Sequence, residues 1–188
     1  GIDTTGNHRL PRFQMVEKQP GSLIIRITQK TMITYRKADI TDIPQLIYLR
    51  LQFLKEIYPK AGNSQDDQLK DHLRSYLTEH LSHDNFVNWF ADEDGEVVGS
   101  AGIVFYNQPP LYHNLEGKVA YILNVYTLPA YRRRGIAKTL LQKIMAEAKR
   151  RNTGKVSLHT SKEGRALYEQ FGFLAGDNEM TCQLSRVQ

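Results

Sequence analysis

Residues Asn124–Lys138 read NVYTLPAYRRRGIAK. An apolar run rich in β-branched and aromatic types stops at Pro129, a short arginine-dense loop follows, and Gly135-Ile136-Ala137 opens an amphipathic stretch. The run before the proline reads as a strand over Lys118–Thr127. The stretch after it reads as a helix over Gly135–Arg150, with Ile136, Leu140, Leu141, Ile144, Met145 and Ala148 on its apolar face. A helix start carries unpaired N–H groups and the positive end of the helix dipole, and both attract anions. Gly135 lets the backbone approach a ligand closely, and Ala137 keeps the first turn small. Arg132, Arg133, Arg134 and Lys138 crowd positive charge around the same point. The segment therefore reads as a phosphate cradle. It is not a P-loop: ahead of Gly154-Lys155, Lys149 stands where that motif has its first glycine, and Val156 follows where it has Ser or Thr. The three-glycine spacing of a dinucleotide fingerprint is also absent.

Outward from this stretch the chain divides into regular elements. Ile33–Lys37 alternates like a strand, and Thr41 or Asp42 caps a helix carrying Ile43, Leu46, Ile47, Leu51 and Leu54, ended by Pro59 and Gly62. A second helix runs over Asp66–Leu81 with Leu69, Leu73, Tyr76 and Leu77 on one stripe. Asn85–Ala91 and Glu96–Tyr106 are strands joined by a turn at Asp94-Gly95. Gln108–Gly117 is a loop. Past the long helix come a short strand over Lys155–His159, a helix over Gly164–Phe171 closed by Gly172, and a last strand over Glu179–Leu184. Helices separate strands in the order βααβββαβα, so part of the sheet is expected to be parallel, in one α/β (α+β) domain over residues 32–188. Residues 1–31 read as a leader, part of it added ahead of a native start at Met32 or Met15.

Composition narrows the class. The chain has 188 residues, 40% hydrophobic and 24% charged, which suits one globular domain with a sizeable core. No apolar run approaches the roughly 18 residues of a spanning helix, so no membrane partner is expected. The net charge of +5 is concentrated at the front, where residues 1–31 hold five basic against two acidic residues. The remainder carries 20 basic and 18 acidic residues, and only Tyr131 interleaves the arginine run, so a nucleic-acid partner is not expected. A lone cysteine, Cys182, excludes an internal disulfide, reads as a packed thiol in the last strand and agrees with a cytoplasmic setting. His72, His80 and His83 are poorly spaced for one helical face, so no metal is expected.

Arg132-x-x-Gly135-x-Ala137 resembles the acyl-CoA pyrophosphate motif (Q/R)-x-x-G-x-(G/A) of the GNAT superfamily of N-acetyltransferases. A second stretch, His159–Phe173 (HTSKEGRALYEQFGF), is similar to the family's later motif, a strand followed by a helix with Leu-Tyr-Glu and a closing Gly-Phe. The resemblance implies a GNAT-like acyl-CoA N-acyltransferase fold, a mixed central sheet flanked by helices, over about residues 32–185. It implies acetyl-CoA as co-substrate, held in a gap where the strand before the cradle splays from its parallel neighbour. Main-chain groups of Val125, Tyr126 and Thr127 would meet the pantetheine arm. A main-chain N–H near Asn124 or Val125 would polarise the thioester carbonyl. The N–H groups from Arg133 through Arg134, Gly135, Ile136 and Ala137 to Lys138 would hold the pyrophosphate. Ser161, where many relatives carry Asn, would lie beside the pantetheine, and Tyr168 falls on the tyrosine often assigned as general acid.

These residue types fit acyl transfer. A thioester attacked by an amine needs a stabilised oxyanion and a protonated leaving thiolate, and no covalent enzyme intermediate. Glu56, Asp66 and Asp67 lie where relatives cap the acceptor pocket, but no base is assigned. The expected acceptor is a small-molecule primary amine, with a protein or peptide amine, or a longer acyl donor, as the rivals within catalysis. A non-catalytic acyl-CoA-binding sensor is the alternative from another class. A homodimer is left open.

Overall fold

The computed structural model describes residues 32–59, 65–176 and 181–182. Five strands form one sheet in the order β1-β2-β3-β4-β5. They are β1 Ile33–Lys37, β2 Phe86–Glu93, β3 Glu96–Asn107, β4 Lys118–Thr127 and β5 Lys155–Ser157. Pairing is antiparallel from β1 through β4 and parallel between β4 and β5. Among the described residues four α-helices flank it: α1 Ile43–Ile57, α2 Asp66–Ser82, α3 Ile136–Arg150 and α4 Arg165–Glu169. The order is the expected one, and the parallel pair follows because α3 carries the chain back across the sheet between β4 and β5. No helix among the described residues is long and apolar enough to cross a membrane.

The two faces of the sheet bury separate cores. Leu140, Leu141 and Ile144 of α3 are fully buried against Val98, Ala101 and Ile103 of β3 and Ala120 of β4. Each such aliphatic side chain contributes about 1.5–3 kcal/mol on burial. On the other face, Leu46, Ile47 and Leu49 of α1 and Leu77 of α2 pack with Phe86, Phe90 and Tyr126. Close packing over β3 depends on two positions that lack side chains, one facing α3 and one facing the Phe86 ring of the neighbouring strand β2. A Cβ at Gly99 would stand 2.9 Å from Ile136 Cγ2, and one at Gly102 would stand 2.8 Å from Phe86 Cε2.

Several boundaries differ from expectation. The capping residue ahead of α1 is Asp39, whose carboxylate accepts from Thr41 N at 2.8 Å, while Asp42 reaches back to Asp39 N and pairs with Arg36 at 2.7 Å. The helix expected over Gly164–Phe171 is shorter: Ser161 Oγ accepts from Gly164 N and holds the start in a turn, and the chain turns again over residues 170–172. Gly172, at φ 83°, closes it as expected. The strand expected over Lys155–His159 stops at Ser157, a difference with consequences for the site. The leader and most of the strand expected over Glu179–Leu184 lie outside the described residues. Thr181 and Cys182 are in no regular element, and Cys182, outside the sheet, is exposed rather than packed.

Candidate active site

β5 pairs with β4 only through Val119, Ala120 and Tyr121. It then leaves the sheet, so β4 from Ile122 to Thr127 has no strand partner on that side among the described residues. The two parallel strands therefore part within β4. A bulge marks the same place: the register against β3 shifts between Ser100 and Gly102, and Asn124 sits at φ 57°. A bulge adds one residue and re-aims the side chains that follow. Here it leaves Val125 packed with the α3 side and Tyr126 with the α1 side.

The parting opens a cleft of about 1000 Å³ that runs from the α3 entry loop past the bulge to α1 and α4. That is the upper end of ordinary small-molecule sites, the size two substrates side by side require. At its α3 end the backbone is open and uncapped. Gly135 adopts φ 81°, a left-handed conformation, and a Cβ there would meet nothing within 4 Å, so the backbone faces open space. No side chain caps α3, its first turn holds no acid, and the first intrahelical bond is Thr139 N to Gly135 O at 3.1 Å. The N–H groups of Ile136, Ala137 and Lys138 are left without an acceptor among the described residues. Arg133 and Lys138 are exposed and line the cleft.

The arginines of this loop divide their work. Arg132 does not spend its charge on the cleft. Its Nη2 donates to both oxygens of Glu56 at 2.7 Å and its Nε to Thr127 O at 3.0 Å. Arg134, expected in the cradle, turns its side chain away from the cleft into an ion pair with Glu93, against the Tyr131 ring. An acid buried at a strand end has to be paired, and Glu93 takes the nearest guanidinium. Tyr126, expected to contribute through its main chain, buries its ring edge-on against Phe53 and donates its hydroxyl to Glu56 Oε1 at 2.7 Å. Burial and the Glu56 carboxylate push that phenol up to about 12. Burial alone would raise Glu56, but hydrogen bonds from Arg132 and Tyr126 outweigh it and hold the carboxyl below its ordinary value. A carboxylate so held is a poor proton acceptor. Asp66, also named for the acceptor region, pairs with Lys55 at 2.8 Å, and Asp67 with Lys70 at 2.8 Å.

Opposite the cradle, Tyr168 of α4 lines the cleft with its ring edge-on to Phe173. Its hydroxyl makes no hydrogen bond among the described residues, and burial, with Tyr121 nearby, pushes it up to about 12. Ser161 also lines the cleft, with its hydroxyl engaged by Gly164 N at 3.2 Å. Three lining groups went unassigned in the sequence. Tyr121 Oη and His159 Nδ1 stand 2.5 Å apart. His159 reaches that position because β5 stops at Ser157. Arg50 reaches from α1 to Asn124 Oδ1. Its signal was present, since Leu46, Arg50, Phe53 and Ile57 fall on one helical stripe and a charge among apolar residues needs a reason.

Residues 51–173 match the model of the acetyltransferase (GNAT) family. The chain belongs to that family. The uncharacterized N-acetyltransferase YjgM of Escherichia coli is 35% identical over 97 residues, 50% of this chain and 54% of that protein. N-acetyltransferase 8 of Homo sapiens is 27% identical over 122 residues, 63% of this chain and 50% of that protein. The chain thus spans about half the length of these curated relatives. Among solved structures of the GNAT fold, a predicted acetyltransferase with acetyl-CoA from Clostridium acetobutylicum aligns at a TM-score of 0.74 and 35% identity, over 81% of this chain and 97% of that one. A GCN5-related N-acetyltransferase from Ralstonia eutropha aligns at 0.73 and 25% identity, over 81% and 99%.

Proposed function

We propose that this chain transfers an acetyl group from acetyl-CoA to a primary amine of a small molecule, by direct attack with both substrates bound. The observation that carries it is the conjunction, in one cleft, of the parted β4–β5 seam with the uncapped start of α3. The unpaired N–H groups of α3 and the side chains of Arg133 and Lys138 suit a diphosphate. The unpartnered edge of β4 through Val125 and Thr127 offers main-chain groups to an amide-bearing arm. The likeness to the Clostridium protein with acetyl-CoA supports the same donor here.

Transfer forms a C–N bond and breaks a C–S bond. The amine loses a proton and the departing thiolate gains one. A main-chain N–H at the bulge, beside Asn124 and Val125, would meet the negative charge that develops on the thioester oxygen. A preorganised donor of this kind is worth a few kcal/mol. Tyr168 keeps its proton at neutral pH and has no protein acceptor competing for it, so it can give that proton to the thiolate. The Tyr121–His159 pair gives the ammonium proton a way out: the phenol faces the cleft, and the exposed imidazole passes the proton to water. Glu56 is excluded from this role by Arg132 and Tyr126.

The test is acetyl-CoA titration followed by free-thiol release against a panel of small amines. Acetyl-CoA binding with amine-dependent release supports the transferase. Binding without release from any small or peptide amine would leave an acyl-CoA-binding module. No binding would remove the proposal.

A further inference from the structure

Arg50 is a charge on the buried stripe of α1 that none of the transfer steps uses. Its guanidinium is half-buried in the cleft wall, 5.6 Å from the Phe53 ring centroid, and one Nη1 donates to Asn124 Oδ1. The other groups that meet its charge are the phenols of Tyr58, Tyr76 and Tyr121. Among the described residues no carboxylate pairs with it. The other partly buried arginine among the described residues has an acid, Arg151 with Asp84, and so do the more exposed Arg36 with Asp42, Arg132 with Glu56 and Arg134 with Glu93. Glu56, the acid of α1 in the same cleft, is already held by Arg132 and Tyr126. A guanidinium taken partly out of water without a counter-charge is costly, and burial holds Arg50 below its ordinary value while leaving it charged. A carboxylate or phosphate offered to its remaining N–H groups would be bound bidentately and would offset that cost.

We propose that Arg50 seats an anionic group of the acceptor, so that the amine acetylated here belongs to a molecule that also carries a carboxylate or a phosphate. This rests on the acetyl-transfer reading. Arg50 lies on the α1 side of β4 with Tyr121, across the strand from α3, which keeps the acceptor's anion apart from the diphosphate. The competing role is structural: Arg50 could serve only to hold Asn124 in its left-handed conformation at the bulge. The two roles differ in what they predict. A structural role makes loss of Arg50 slow every acceptor alike, whereas an anion seat makes it erase a preference.

The experiment compares matched acceptors: ω-amino carboxylates of increasing length beside their primary amides, and phosphoethanolamine beside ethanolamine. Wild-type enzyme is expected to favour the anionic member of at least one series by about tenfold or more in kcat/KM, mainly through KM. The series that responds tells carboxylate from phosphate. Arg50→Gln is expected to abolish the preference and Arg50→Lys to keep part of it, with acetyl-CoA titration confirming that each variant is folded. Equal use of neutral and anionic members by wild type would overturn the proposal while leaving acetyl transfer intact. So would a preference that survives in Arg50→Gln, or failure of every anionic amine to react in an enzyme that binds acetyl-CoA. Failure to bind acetyl-CoA at all would instead overturn the transferase reading and this proposal with it.

Discussion

The Tyr126 hydroxyl of β4 donates to Glu56 Oε1 of α1 at 2.7 Å, and the same carboxylate receives Arg132 Nη2 on both oxygens. One acid thus ties three elements together: the end of α1, the strand beyond the bulge, and the first residue of the cradle loop. Arg132 is a strut for the loop, and in the proposed site the phosphate charge would fall to the N–H groups, Arg133 and Lys138.

Loss of that strut should loosen the cradle without emptying it. Glu56→Gln keeps the size but weakens two charge-assisted bonds that are partly open to water, a loss of about 1 kcal/mol. Acetyl-CoA affinity should fall roughly fivefold, read by titration, with kcat changed less. Unaltered affinity would show that the loop holds its shape without α1.

The same pair sets a pH dependence. Glu56 is held below its ordinary value, so its contribution to stability is complete above a pH of about 4.5 and is lost as pH falls through the folded value. Tyr126 is raised to about 12, so its contribution is present below about 10 and is lost as pH rises from there. Thermal melts of wild type should drop on the acid side, and Glu56→Gln should flatten that drop. An identical acid slope in both proteins would assign it to other carboxylates.

Gly135 separates binding from folding. Its φ of 81° costs a substituent about 1–2 kcal/mol, less for Asp than for a bulkier side chain. An acid at a helix start returns part of that cost through the dipole. Gly135→Asp should therefore fold, yet lose acetyl-CoA affinity by at least about tenfold, because its charge would stand where the diphosphate is proposed to bind. Wild-type affinity in a folded Gly135→Asp protein would remove the cradle.

Tyr168→Phe removes a hydroxyl that has no hydrogen-bond partner among the described residues, so stability and acetyl-CoA affinity should hold. Turnover should fall by about a hundredfold if the phenol supplies the thiolate proton. With the phenol at about 12, wild-type activity should show no loss from this group up to pH about 10. His159→Gln should also lower kcat, and the defect should shrink as pH rises and the amine arrives already neutral. A defect constant across pH would mean that His159 takes no proton.

Gly102→Ala tests the packing. Its Cβ would stand 2.8 Å from the fully buried Phe86 ring, and an overpacked core loses about 1–3 kcal/mol. Denaturant melts should show that loss. A wild-type midpoint would mean that Phe86 has room to give.

By itself, the sequence determined the element order from β1 to α4 and the glycine-led, uncapped start of α3, because both are written locally. Period 3.6 over Ile136–Ala148, the stop at Pro129 and the glycine at 135 each act within a turn or two of chain. The direction of each arginine was not local. Arg132, Arg133 and Arg134 are consecutive, and Glu56 takes the first while Glu93 takes the third, acids lying 76 and 41 residues away in the chain. Only tertiary packing brings those acids near. It also decided the site's depth: β5 leaves β4 after Tyr121, and that departure opens the cleft and delivers His159 to Tyr121. Arg50 shows the boundary most plainly. Its charge on an apolar stripe was visible in the sequence, but that it faces Asn124 and three phenols, with no acid among the described residues, follows from how α1 lies across β4.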